Sequence, residues 1–170
     1  MIAVISVAAG HRVTAAGATA ARGAVTEAAG IGSAVTLGRT GTGTGSGEQL
    51  SVTVVRVIAT AEPTDEFSGA SVGRRLFAVQ FQLTNTGQAA YAGAPADSAA
   101  VVDSAGQSYS ARLAGNAIGC PAFSSPENIP SGSSGVGCVT FEVPATTKII
   151  QIQFALDAGL GPDTGQWAVG

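Results

Sequence analysis

The chain holds a single histidine, His11, and two cysteines, Cys120 and Cys138. Beyond His11 there is no imidazole to serve a Ser-His or Cys-His nucleophile, and none to ligate zinc, copper or iron. Two cysteines alone fall short of a zinc site. The remaining reactive groups are carboxylates: Asp65-Glu66, Asp97, Asp103, Glu127, Asp157 and Asp163. A glycosidase needs two of these facing each other within about 5 to 10 Å across a cleft. All of them fall in expected loops or strand ends, where carboxylates are ordinarily solvated. Asp103-Ser104-Ala105-Gly106 lacks the repeated oxygen ligands of a calcium loop and reads as a tight turn. The expectation is therefore no catalytic residue, no cofactor and no metal. The rival is a carboxylate-dependent hydrolase, in which Asp97, Asp103 or Asp157 would share a cleft.

Charge narrows the partners. Eight Lys and Arg stand against eleven Asp and Glu, for a net charge of −3. The cations are scattered, so the basic cluster that phosphate backbones require is missing and no nucleic-acid partner is expected. Gly41 to Gly47 is not followed by Lys and is not a phosphate loop. Arg74-Arg75, with Tyr91 and Tyr109, forms the candidate binding surface for a sugar, a peptide or an anionic group. Each has a plainer reading: the Arg pair solvates a strand start, and the aromatics, with Trp167, fill a core that has only one Trp, two Tyr and six Phe to draw on.

The cysteines suit a bridge. Cys120 precedes Pro121 in an expected loop, and Cys138 takes the polar phase of its strand. The segment between them, Pro121 to Gly137, is rich in Pro, Ser and Gly and has no strong pattern of its own. Closing a loop of that size gains roughly 3 kcal/mol in the chain-entropy model. The alternative is two buried thiols acting as small hydrophobes. A Cys120–Cys138 disulfide implies an oxidising compartment, outside the cytosol.

The elements that position these groups are strands. Apolar residues alternate at Phe77, Val79, Phe81 and Leu83, with Ala78, Gln80, Gln82 and Thr84 facing the other, solvated way. This run ends at Asn85-Thr86-Gly87, where Asn and Gly tolerate positive φ. The pattern recurs at Leu50-Val52-Val54, Val139-Phe141-Val143 and Ile150-Ile152-Phe154-Leu156. Pro144 ends the third run because it cannot donate to a ladder. Shorter strands are expected at Ala99 to Asp103, Ser108 to Leu113 and Gln166 to Val169, and a first strand at Ile31 to Leu37. Nothing after residue 48 sustains a helical period. Seven or eight short strands, each with one apolar face needing a partner layer, predict an all-β, two-sheet antiparallel β-sandwich.

Composition places the domain at residues 31–170. Residues 1–47 contain neither Pro nor aromatics, and Thr40 to Gly47 is a low-complexity Gly/Thr stretch, read as a loop. Met1 to Gly10 is apolar but far shorter than the roughly 20 residues a bilayer requires, so no membrane span is expected. Residues 1–30 are either a remnant export signal, short of its basic start, or a disordered tail. No Cys in this region offers a lipid attachment point.

Several stretches in their order carry a family resemblance. They are Leu50-Ser51-Val52-Thr53-Val54; Gly73-Arg74-Arg75-Leu76-Phe77-Ala78-Val79 running into Leu83-Thr84-Asn85-Thr86-Gly87; Tyr91; and Asp103 to Tyr109. Gly137-Cys138-Val139-Thr140-Phe141-Glu142-Val143-Pro144, Ile152-Gln153-Phe154 and Trp167 follow. The chain resembles the bacterial, and commonly actinobacterial, domain-of-unknown-function family four-three-five-two. That family is similar to a secreted mycobacterial immunoprotective extracellular antigen. The resemblance covers about residues 33–170. It implies an immunoglobulin-like sandwich that is secreted or held at the cell surface, and it brings no catalytic residues.

Together these readings predict a noncatalytic module that binds another protein or a cell-envelope component, as a monomer or weak homodimer. A structural envelope or spore-coat constituent is the second alternative beside the hydrolase.

Overall fold

The alternating runs become strands in the computed structural model, which describes residues 27–38, 47–112, 115–161 and 163–170. The expected export signal, His11, most of the Gly/Thr-rich loop (40–47) and Leu113 lie outside the described residues. The strands are β1 (Ala34–Gly38), β2 (Gln49–Ala61), β3 (Arg74–Asn85), β4 (Tyr91–Gly93), β5 (Ala99–Asp103), β6 (Ser108–Ser110), β7 (Glu127–Ile129), β8 (Ser134–Pro144), β9 (Ile149–Ala155) and β10 (Thr164–Ala168). One short helical turn, α1 (Pro95–Ser98), leads into β5. All the strand pairs are antiparallel. They form a sheet ordered β1-β2-β3-β8, a second ordered β10-β9-β5-β6, and a small β4-β7 ribbon.

The core lies between the two larger sheets. Leu50, Val52, Val54, Phe77, Val79, Phe81 and Leu83 enter it from one side, and Val101, Ile152, Phe154 and Trp167 from the other. Phe81 sits 5.4 Å from the Phe154 ring and edge-on to Trp167 at 6.4 Å, so aromatic contacts join the layers. This is the two-sheet antiparallel sandwich that the alternation predicts.

Several details depart from the sequence pattern. The strand beginning at Leu50 runs on to Ala61, because Val55 is extra in the ladder: Val54 pairs with Phe81 and Arg56 with Gln80. Such a bulge flips the alternation, so Val57 again opposes Val79. Another irregularity, between Val102 and Asp103, turns Ile149 inward and leaves Ile150 exposed, the reverse of the expected phase.

The turn after β3 also works differently. Neither Asn85 nor Gly87 takes a positive φ. Asn85 is buried and fully used: its amide donates to Ala89 O and Ile129 O, and its oxygen accepts from Gly87 N–H. Gly87 is needed because a Cβ there would strike the backbone of Gly47 and Gln49. At the β5–β6 turn, by contrast, Gly106 has φ +82° as its position requires.

The largest departure is on the outer face of the first sheet. Leu76 and Ala78 belong to the phase read as solvated, yet both are buried. They form a second apolar cluster with Ala61, Ala117, Cys120 and Cys138. Residues 115–123 cross this face and cover it. The edge of β8 is occupied as well: Arg112 N–H donates to Thr140 O at 2.7 Å, and Cys138 N–H to Pro121 O at 2.9 Å.

Candidate functional site

The disulfide fixes the covering segment. Cys120 and Cys138 are joined with their Cα atoms 5.5 Å apart, and Cys138 points outward from β8, as its polar phase requires. The bridge therefore holds the 115–121 stretch against the sheet instead of linking the two sheets.

Beside the bridge, against the edge of β8, lies a cavity of about 380 Å³. α1 forms one wall through Pro95 and Asp97; Arg112, Asn116, Phe123 and Thr140 form the others. Phe123 rests on Gly137, where any side chain would collide with its ring, so the aromatic wall is set by a missing Cβ. Arg112 is anchored through Nη1 to Ser68 O and Gly69 O, both at 2.9 Å, and lies 3.7 Å from Glu142. Thr140 has the most telling environment: it is 1% exposed and its hydroxyl has no hydrogen-bond partner. A buried unpaired hydroxyl is costly. The cavity's volume falls within the range of small-ligand sites, about 300 to 1,000 Å³.

The residues singled out in the sequence are not gathered here. Arg75 is committed to the protein: it donates to the carbonyls of Ala59, Ala145 and Thr147 and lies 5.5 Å from the Phe77 ring centre. Arg74 donates to Glu142 O at 3.1 Å. Tyr109 donates its hydroxyl to Asp103 at 2.8 Å, and this bond raises the pKa of its phenol. Tyr91 is buried on β4, far from Arg74 and Arg75 in the fold. Burial, then Glu48, push its phenol well above the usual range, with the Ser98 hydroxyl opposing them. Trp167 is wholly in the core.

The carboxylates divide. Asp103 is locked in its own turn, accepting from Ala105 N–H, Gln107 N–H, Tyr109 and Thr147. The Gln107 backbone bond and then the Tyr109 hydroxyl hold its pKa below the ordinary range. Asp97 and Asp157 do meet, with Glu48, around a recess of about 130 Å³ beside Tyr91. That recess is below the size of organic-ligand sites.

Sequence reasoning missed the 380 Å³ cavity. Its one legible trace was an isolated cation, Arg112, near the end of an expected strand, and Thr140 looked like one more solvent-facing residue.

The family model described as a domain of unknown function (DUF4352) matches residues 44–162. The chain belongs to this family. Among solved structures, the DUF4352 chain is similar to MPT63, a secreted protein from Mycobacterium tuberculosis. That match has 16% identity and a TM-score of 0.60, over 84% of this chain and 96% of MPT63. It is also similar to ycdA, a lipoprotein candidate from Bacillus subtilis, at 15% identity and TM-score 0.54, over 71% of this chain and 36% of that one. The yjhA protein of the same species matches at 13% identity and TM-score 0.50, over 74% and 79% of the two chains. These likenesses show the sandwich fold. A search of curated proteins finds no match. Among the described residues, no helix is long and apolar enough to cross a membrane.

Proposed function

We propose that this DUF4352 domain is a noncatalytic binding module that works outside the cytosol, secreted or at the cell surface, and recognises a protein or cell-envelope component. The cavity beside the disulfide carries this reading. It is of ligand size, it offers one aromatic, one cationic, one anionic and one amide side chain, and the unpaired Thr140 hydroxyl lies in its wall. Structural disulfides persist in oxidising compartments, and one of the similar solved structures is a secreted protein.

The rival readings have less support. Asp103 is saturated by its own turn, and the recess shared by Asp97 and Asp157 is too small for a sugar ring, which weighs against a carboxylate hydrolase. A self-assembling coat constituent needs open sheet edges. Here the β8 edge is met by Ala111, Arg112, Pro121 and Ala122, and Ala29 bonds to Gln166 O and Ala168 N–H along β10.

The test is a pull-down from the producer's envelope fraction with the oxidised domain, comparing wild type with Phe123→Ala/Asn116→Ala. The expected result is capture of a defined component by wild type and at least a tenfold weaker signal from the variant. Equal capture by both would remove the cavity from the reading. Two alkylatable thiols in protein recovered from its native compartment would refute the extracytoplasmic assignment.

A further inference from the structure

Phe67 and Val72 are 94% and 105% exposed, so their apolar surface is open to solvent. Both lie on the 62–73 loop, which is unusually well tied down. The Asp65 carboxylate accepts from the N–H groups of Phe67 and Ser68, at 2.9 and 2.8 Å, and from the Ser68 hydroxyl at 2.6 Å. Arg112 grips Ser68 O and Gly69 O, and Ser71 N–H donates to Glu142 at 2.9 Å. A fixed apolar knob loses little conformational entropy when it docks.

A second groove, of about 440 Å³, lies where the start of the same loop meets the crossing segment. It is walled by Thr64 and by Ala117, Ile118, Gly119 and Pro121 of the crossing segment. Knob and groove share one frame, because Ile118 N–H donates to Glu62 O at 2.9 Å and Pro63 pairs with Ala117. Exposed charges stand on this surface, Glu62 and Glu66 on the loop and Arg56 on β2. Glu66, next to Phe67, has no ion pair among the described residues. Arg56 marks the groove rim, donating through Nη2 to Gly119 O.

We infer that this end of the molecule is a self-association surface whose occupant is a second copy of the chain. A two-fold axis places the Phe67 of each copy in the groove of the other, so one patch is satisfied twice. The same axis brings Glu66 of one copy to Arg56 of the other, giving two ion pairs at the rim. The patch is small against a standard interface, and the dimer forms at high micromolar concentration, on the order of 100 µM.

Sedimentation velocity on the oxidised chain, followed up to about 1 mM, tests the inference. Wild type is expected to show a concentration-dependent monomer–dimer equilibrium that weakens with salt. Phe67→Ser, a change at an exposed side chain, raises the dissociation constant at least tenfold. Glu66→Arg and Arg56→Glu each place like charges across the axis and leave the chain monomeric. An equimolar mixture of the two restores both opposite-charge pairs and associates. A wild-type chain that is monomeric throughout, a Phe67→Ser variant that dimerises like wild type, or a mixture no more associated than its components would each overturn the inference.

Discussion

Asp103 shows how a residue with catalytic chemistry can be consumed by architecture. Its carboxylate accepts two backbone N–H bonds within its own turn, together with the hydroxyls of Tyr109 and Thr147, the latter from the β8–β9 connection. These bonds favour the charged form, so its folded pKa lies below the ordinary value of about 3.9. The contribution to stability is complete above that unfolded value and disappears as pH falls through the lower folded one. Thermal melts between about pH 2 and 6 should therefore show a loss of Tm on the acid side that is shallower in Asp103→Asn than in wild type. Parallel acid limbs in the two proteins would refute the role. Tyr109, singled out as a candidate binding residue, is the donor in this same network. Its type was readable in the sequence, but its partner was not, because a phenol looks the same whether it faces a ligand or a carboxylate six residues earlier.

At the scale of elements, the crossing segment of residues 115–123 decides what the first sheet exposes. It covers Leu76 and Ala78, and the Cys120–Cys138 bridge holds it there. Replacing both cysteines with Ala should cost about 3 kcal/mol in denaturant unfolding. Protection of the Leu76 and Ala78 amides against exchange should stay high, since those amides belong to the β3 ladder, while the segment itself opens. A loss below about 1 kcal/mol would mean that apolar contacts alone hold the segment. The disulfide was legible because both cysteines stood out by number and by phase. The cavity beside it was not, since it depends on Phe123 lying over Gly137 and on Thr140 being enclosed, and neither contact is local in sequence.

For the whole molecule, Trp167 is the side chain that ties the layers together. It is fully buried from β10 in the second sheet, meets Phe81 of the first edge-on, and donates its indole N–H to Ser33 O just before β1. Its ring lies over Gly165, where a Cβ would collide with it. Trp167→Ala should cost about 3 to 5 kcal/mol. Trp167→Phe should cost less overall, while the amides of residues 29–38 lose exchange protection selectively. A uniform loss across both sheets in the Phe variant would show that the Ser33 bond has no separate role.

Alternation of apolar residues, read along the chain, determined the two facing layers, their principal strands and the residues of the core. Each strand carries its inward face in its own period, and that information is local. The count and placement of cysteines likewise favoured the bridge that the structure contains. Tertiary structure alone decided which polar-phase positions are covered, which arginines are spent on carbonyls, and that Phe67 stands exposed on a loop whose start borders an apolar groove. These outcomes depend on contacts between segments 43 to 63 residues apart, and a return path leaves no periodic mark on the strand that it covers.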